Sequence, residues 1–437
     1  MIASMLSLIA ILTIFERADA SVVVLTVKDV VSAALKENPE IAKTSEAVRE
    51  AEASTSLARS QLFTGVSGVF LASQAKDAVA SESARFGGEP FNKYSFSIEG
   101  KQVLFAPGIL SNTAMPGWDR SAREFDLAIA SRDLTAKVVR AFYSLVHRHR
   151  RLDALLRIEV AMRDAVASVQ KRHSIGKSQL LDVLQAKTQL ALLLPKIDEL
   201  RSELKIIAAE LSFLMGGKNA SEIHISGKLE KPFFEEIVKT INNERKLIEL
   251  EKVHAQQGKL TAERSFVLGK HLPRADLLAQ FGRGAYVKSD LLDGGATSWS
   301  LGLQLSIPIF SGLSSVHERQ VFAKRMVQLE LEEQILNNKL AMEQVRSLKS
   351  LEQSEELVKA MLAAMKLSAA SLSEAKKNFR LGTIDYVQFL SVQQTYIEAQ
   401  TAVDQAWLKY INSLVDYFVA SGIPMDELVG ILEDKTA

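Results

Sequence analysis

Two long stretches of this chain contain neither proline nor glycine, and this feature limits its possible folds more than any other. The longer one runs from Leu313 to Phe379, over 67 residues, and the other runs from Trp118 to His173. Apolar residues recur in them at spacings of three and four with charged residues between, which is typical of coiled coils. At 1.5 Å per residue, the longer stretch predicts a helix of about 100 Å, far beyond the three turns of an average globular helix.

The sequence is also an internal duplication. Gly176 and Leu184 of the first half correspond, 206 residues later, to Gly382 and Leu390 of the second half. Each half predicts the same order of elements: helix, strand, loop, strand, very long helix, tight turn and returning helix. The predicted organisation is a signal peptide at 1–20, a first repeat at 21–216, a linker at 217–232, a second repeat at 233–423 with a long helix at 313–379 and a returning helix at 385–421, and a C-terminal tail at 424–437.

Four shorter segments have the two-residue alternation of β-strands, and the clearest lies at 299–310. One face of that segment is wholly apolar, and its residues are Trp299, Leu301, Leu303, Leu305, Ile307 and Ile309. Transmembrane strands need about 9–11 residues with an apolar side toward lipid, which makes this set the predicted lipid-facing residues. Weaker strands are predicted at about 62–72, 94–105 and 273–283. The alternative is a soluble antiparallel sheet with one buried face.

Four strands cannot close a barrel. An open sheet edge in lipid leaves backbone groups unpaired, at a cost of several kcal/mol each, so the chain must associate with other copies. Two copies would give eight strands, whose interior fills with side chains, whereas three copies would give twelve strands and an open lumen. The predicted fold is therefore mainly α, with a coiled-coil α-barrel and four strands contributed to a trimeric twelve-stranded β-barrel.

The first twenty residues resemble a secretory signal. An apolar run from Met5 to Phe15 precedes Ala18-Asp19-Ala20, the small-x-small pattern that comes before a cleavage site. No later segment reaches eighteen consecutive apolar residues, so no transmembrane helix is predicted in the mature chain. An exported chain with membrane-type strands indicates the outer membrane, with the helices extending into the periplasm.

Composition and motifs argue against enzyme activity and against metal or cofactor binding in this chain. Cysteine is absent, which excludes disulfides and thiolate metal sites, and the net charge of +1 gives no reason to expect nucleic acid. Phosphate-binding loops, dinucleotide fingerprints and HExxH motifs are missing. We therefore predict no enzyme activity, no cofactor and no metal. The basic run at 147–151 is interpreted as a solvated helix face, with contacts to acidic neighbours as the alternative.

The tight turn of each half carries a motif. The first reads His173-Ser174-Ile175-Gly176, and the second reads Phe379-Arg380-Leu381-Gly382-Thr383. A glycine in a left-handed conformation can end one helix and let the chain reverse. With the duplicated architecture, these motifs resemble the TolC family of outer-membrane channels over nearly all of the mature chain.

The resemblance implies a passive exit duct for efflux or type I secretion. In that family the tips of the helical tunnel contact a periplasmic adaptor, which links the channel to an inner-membrane transporter. The implied docking residues are Ile175, Gly176, Arg380, Leu381, Gly382 and Thr383. The alternative function is an exported coiled-coil tether of the cell envelope, which would have no need of an alternating eleven-residue strand.

The family also closes its tunnel just inside the tip. The candidate gate residues implied here are Asp182, Phe379, Asp385, Gln388 and Ser391. This sequence departs from the family pattern, because Gln388 and Ser391 occupy positions that hold aspartates in the best-known members. Since a ring of aspartates attracts cations and a ring of glutamines does so weakly, strong cation selectivity is not expected at that depth.

Overall fold

The computed structural model describes residues 24–76, 90–176, 178–217, 224–225, 227–234, 237, 247–293 and 296–433. The predicted signal peptide lies outside these ranges, as do Gly87-Gly88 and Gly294-Gly295. The described residues form two compact units. One, called here the helical unit, takes residues from 1–39, 131–246 and 343–437, and the other, the sheet unit, takes residues from 40–130 and 247–342.

Helices dominate the described chain, as the sequence predicted. The helices are α1 Val27–Glu37, α2 Pro39–Ser60, α3 Pro107–Asn112, α4 Met115–Ser174, α5 Leu180–Leu214, α6 Ile248–Gly269, α7 Asp290–Asp293, α8 Ser314–Leu381, α9 Tyr386–Ser421 and α10 Met425–Leu432. The strands are β1 Val24–Leu25, β2 Gly65–Ala75, β3 Phe91–Phe105, β4 His224–Ile225, β5 Arg274–Ala285 and β6 Ala296–Ser306. Helix α8 has 68 residues and α4 has 60, and both supply residues to each unit.

The sheet unit contains a four-stranded antiparallel sheet in the order β2-β3-β5-β6. The central ladder joins β3 of the first half to β5 of the second half, with a register shift between Val103 and Phe105. Within the described residues, strands β2 and β6 each have a neighbour on one side only. The sheet therefore has two open edges.

The two faces of the sheet differ in polarity. Cross-strand partners share a face, and the face that carries Trp299 also carries its partner Phe281 and, on β3, Ile98. The opposite face is mostly small or polar, and its residues on β3 and β6 include Ser95, Ser97, Glu99, Lys101, Ser298, Ser300, Gly302 and Gln304. This alternation matches the apolar-out, polar-in pattern of membrane barrels.

The strand predicted at 299–310 ends earlier in the structure, at Ser306. Ile307 and Ile309 follow β6 outside the ladder and are exposed. Pro308 explains the end of the strand, because proline lacks the N–H that a ladder needs and restricts the backbone of the preceding residue.

All four sheet strands connect to helices at one end of the sheet. The chain leaves α2 for β2, β3 for α3, α6 for β5 and β6 for α8 at that end. Close backbone contact holds α3 against α6 there, since a Cβ on Gly269 would lie 2.5 Å from the backbone of Gly108. Lysines of α6 bind aspartates of α4, with Lys259 Nζ 2.5 Å from Asp119 and Lys252 Nζ 2.7 Å from Asp126.

The helical unit is built around buried aromatic and aliphatic residues of α4 and α9. The largest fully buried side chains include Phe142, Tyr143, Tyr410 and Phe418. Helix α10 is tied to this core, because the Tyr143 hydroxyl and the Lys231 ammonium both donate to the Leu432 carbonyl at 2.8 Å. The C-terminal helix is thereby part of the core.

The interpretation of the basic run at 147–151 as a solvated face is wrong. His147 is buried, and its ring nitrogens have no hydrogen-bond partner within the described residues. Arg148 donates to Glu203 at 3.0 Å, and Arg150 makes a two-pronged contact with Glu230 at 2.7 and 2.9 Å. Arg148 and Arg150 of the run therefore contact acidic neighbours, as the alternative interpretation expected.

The pKa of His147 is lowered from 6.5 to about 4, mainly by burial and in addition by the nearby positive charges of Arg148 and Arg151. Below pH 6.5 the unfolded chain binds a proton that the folded chain binds only near pH 4. The free energy of unfolding therefore falls as the pH decreases between these values.

We predict that His147→Leu reduces the loss of stability between pH 8 and pH 5 by about 2 kcal/mol. Thermal unfolding of the purified protein at the two pH values, followed by circular dichroism, measures the effect. His317→Leu is the control, because His317 is exposed and its replacement should leave the pH dependence unchanged. Equal acid sensitivity of the wild type and His147→Leu would contradict the prediction.

Candidate functional site

The helical unit contains two helical hairpins whose ends carry the residues singled out from the sequence. In the first, α4 ends at Ser174 and α5 begins at Leu180. Gly176 has a φ of +73°, and its N–H donates to the His173 carbonyl at 2.9 Å. The left-handed glycine ends α4 as the sequence predicted, since residues with a Cβ rarely adopt this conformation.

Asp182 is engaged in capping α5. Its carboxylate accepts a hydrogen bond from the Gln179 N–H at 3.1 Å and another from the Ser178 hydroxyl at 2.7 Å. A carboxylate in the first turn also suits the positive end of the helix dipole. This acidic residue therefore has a local structural role in addition to the predicted gate role.

The second hairpin end has the same design. Gly382 has a φ of +76°, and its N–H donates to the Phe379 carbonyl at 3.2 Å. Thr383 closes the turn, because its N–H and its hydroxyl both donate to the Asn378 carbonyl, at 3.0 and 2.9 Å. Asp385 caps α9 by accepting the Gln388 N–H at 2.7 Å. Both turn motifs are thus helix-reversing loops with a capped second helix.

The two hairpin ends contact each other through Phe379. Its ring stacks on Phe389 with 4.9 Å between centroids, and the Arg172 guanidinium of the first hairpin lies 4.7 Å from the Phe379 ring centroid. Phe379 and Leu390 also pack against a buried cluster formed by Val169, Val183 and Ala186. We call these seven residues, together with the partly buried Ala165 and Val166, the tip cluster.

Several large apolar side chains near the hairpin ends are exposed instead of packed. Ile175 is 60% exposed and Leu381 is 76% exposed. Others of the same kind are Leu180, Leu181, Leu184 and Val387. Exposed apolar residues concentrated at one place are typical of surfaces that bind another protein.

The structure brings together some of the sequence-predicted gate residues. Phe379 belongs to the tip cluster, and Asp385 and Gln388 share a capping hydrogen bond. Gln388 and Ser391 are exposed. The sequence analysis did not identify Arg172 or Phe389 as site residues. The presence of an aromatic residue on each side of the turn, Phe379 before it and Phe389 after it, was the available signal for their contact.

The sheet unit carries the second set of predicted residues. Trp299 is 76% exposed and Ile309 is 96% exposed, and the four residues between them in the predicted set, Leu301, Leu303, Leu305 and Ile307, are exposed too. In a water-soluble sheet this face would need to be buried.

Within the described ranges, no three histidine, aspartate or glutamate side chains are grouped so that they could hold a metal ion. No helix of that part of the chain combines the length and the apolar character needed to cross a bilayer.

The sequence profile of the outer membrane efflux protein family matches residues 30–217. That region covers the first hairpin and the first two strands of the sheet. This match confirms the resemblance to the TolC family. The match supports the role of an outer-membrane efflux channel protein, and the matched family is one of channels. No curated protein sequence matches the chain significantly.

Solved structures confirm the expected fold. A membrane protein from Pseudomonas aeruginosa is 19% identical with a TM-score of 0.76, covering 91% of this chain and 93% of its own. The outer membrane protein VceC from Vibrio cholerae is 14% identical with a TM-score of 0.75, covering 91% and 96%. The Campylobacter jejuni CmeC outer membrane channel is 17% identical with a TM-score of 0.72, covering 94% and 87%. These similarities extend through the second half of the chain, which the family profile does not cover.

We predict that Phe379→Ala loosens the contact between the two hairpin ends. The loss of the ring stacking and of the Arg172 contact is worth about 1–2 kcal/mol, or roughly tenfold in local opening. Hydrogen exchange of the amides around residues 172 and 389 should accelerate by that factor. Leu381→Ala is the control, because Leu381 is mostly exposed and should leave these amides unchanged. Equal exchange rates in both variants would show that Phe379 does not hold the ends together.

Proposed function

We propose that the chain is one subunit of a trimeric exit duct that carries solutes or polypeptides passively across the outer membrane. The observation that carries this proposal is the four-stranded sheet, which has two open edges and one exposed apolar face. The proposed duct uses no cofactor and performs no chemistry, and a periplasmic adaptor and an inner-membrane transporter supply the driving force.

The open edges require other copies of the chain. In lipid, no water can satisfy the unpaired N–H and C=O groups of β2 and β6, so a stable sheet must close on itself. Three copies give twelve strands and a lumen, with the Trp299 face toward lipid and the serine- and glycine-rich face toward the pore. Small side chains on the pore face leave room for cargo.

A stripe on α8 supports association with a second copy. Val327, Leu331, Ile335 and Met342 recur at spacings of four and seven along α8, and all are exposed in the single chain. Residues at these spacings share one helix face. Burying such a stripe against a neighbouring copy would remove several apolar side chains from water, each worth about 1.5–3 kcal/mol when fully buried.

The hairpin ends are the proposed contact with the adaptor. Ile175 and Leu381 present exposed apolar side chains beside left-handed glycines, a rigid and protruding arrangement suited to docking. Arg380, Gly382 and Thr383 complete the second contact and Gly176 the first. The gate is proposed to lie at Asp182, Phe379, Asp385, Gln388 and Ser391, with the helices extending into the periplasm.

The alternative of a structural tether is not supported by the sheet. A coiled-coil rod would gain nothing from eleven-residue strands with an exposed apolar face, and such a face would make it prone to aggregate in the periplasm.

We predict that Leu301→Arg prevents assembly in the outer membrane, because an arginine at the middle of the lipid face costs about 2–4 kcal/mol. Ser300→Arg is the matched control, since Ser300 is the neighbour of Leu301 on the strand and lies on the polar face. Membrane fractionation and unheated gel electrophoresis measure the trimer. A wild-type chain found as a soluble monomer, or equal trimer yields for the two variants, would contradict the proposed barrel.

We predict that Leu381→Asp abolishes export while the trimer persists in the outer membrane, because a charged tip residue removes the apolar docking contact. Leu381→Met keeps an apolar side chain and should retain export. Export rate and crosslinking to the adaptor are the measurements. Normal export by the aspartate variant would show that the second hairpin end does not dock the partner.

A further inference from the structure

The apolar face of the sheet is interrupted by a single charged residue. Among the residues of the four described strands, the face that carries Trp299 contains only one ionisable side chain with a full charge at neutral pH, Arg283. The register is clear: Arg283 pairs with Thr297 on β6 and with Phe96 on β3. Its place on this face is therefore fixed by two ladders.

Arg283 lies toward the loop end of the sheet, away from the connections to the helices. Arg283 lies eight positions after Ala275, the first β5 residue on the same face. At about 3.4 Å per residue and a strand tilt of about 40°, this distance corresponds to about 20 Å along the membrane normal. The lipid-exposed band of an outer-membrane barrel is about 25 Å tall, so Arg283 falls near its outer boundary.

The free-energy cost of placing an arginine in lipid also favours a position of Arg283 near the membrane interface. An arginine on the lipid face costs about 2–4 kcal/mol at the middle of the membrane but only about 0–1 kcal/mol near the interface. Aromatic residues surround it on this face, with Phe96 opposite, Trp299 one row toward the helices and Tyr94 one row toward the loops. Aromatic girdles mark the same interface in membrane barrels.

We propose that Arg283 binds the phosphate groups of lipid headgroups in the outer leaflet. The proposal rests on the proposed function, which turns this face toward lipid. A guanidinium is planar and permanently charged, and its N–H groups match phosphate oxygens in pairs. The Nε of Arg283 is buried, so the proposed contact is made by the N–H groups of its two terminal nitrogens. The loop end of the sheet is the end that faces the cell exterior when the helices extend into the periplasm. Arg283 thereby anchors each subunit at a fixed depth.

Native mass spectrometry of the purified trimer, titrated with bis-phosphorylated lipid A, tests this assignment. Arg283→Gln should weaken lipid binding about fivefold per site, the factor that corresponds to the loss of one cation near an anionic surface. Arg283→Lys should recover part of the affinity, because it keeps the charge and loses the paired geometry. Lipid A with a single phosphate should bind the wild type less tightly.

Lys93→Gln is the matched control, because Lys93 lies near the same end of the sheet but on the polar face. This variant should bind lipid A as the wild type does. Equal weakening by both substitutions, or no weakening by Arg283→Gln, would overturn the assignment while leaving the trimer intact. The same spectra report the oligomer, so a monomeric wild type would instead overturn the proposed function on which the assignment rests.

Discussion

The backbone hydrogen bonding of one small sheet constrains everything else in this protein. Among the strands that the structure describes, the four-stranded antiparallel sheet satisfies its inner ladders, and no further strand pairs with the outward edges of β2 and β6. Water would satisfy those groups for a soluble protein, but the exposed apolar face argues that lipid surrounds the sheet. A sheet of this kind is stable in a membrane only as a segment of a closed barrel, which makes assembly a requirement of the fold instead of an option.

In the helical unit, the structural requirement is that two very long helices end at defined residues and the chain reverses direction. Both hairpins use a left-handed glycine and a capping aspartate, and the two ends meet through the Phe379 ring and the tip cluster. The interior contacts hold the ends together, while Ile175 and Leu381 stay outside that cluster. The stacked rings of the tip cluster make the hairpin ends rigid, while the exposed aliphatic side chains leave an apolar surface for the proposed partner.

Much of this architecture could be predicted from the sequence because its signals are periodic. Long stretches without proline and glycine predicted α4 and α8, strict alternation predicted β6, and the repeated glycines predicted both turns. The burial of His147 could not be predicted, because a histidine between arginines looks solvated until the tertiary partners of α4 are known. The end of β6 was also misplaced, since the alternation of apolar residues continues past Pro308 while the ladder does not. Cation–ring contacts such as that of Arg172 depend on which hairpins become neighbours, and periodicity carries no such information.

The central ladder of the sheet joins strand β3 to strand β5, residues that lie about 180 positions apart in the chain. Contacts between distant segments form slowly, because a long loop must close before any pairing is gained. Each repeat pairs its own two strands, but the ladder between the repeats needs both of them. The inner edge of the first hairpin, on β3, therefore stays unpaired until the second hairpin is available. A subunit of this design therefore exposes an apolar hairpin with an unpaired edge during the interval in which only its first repeat has emerged.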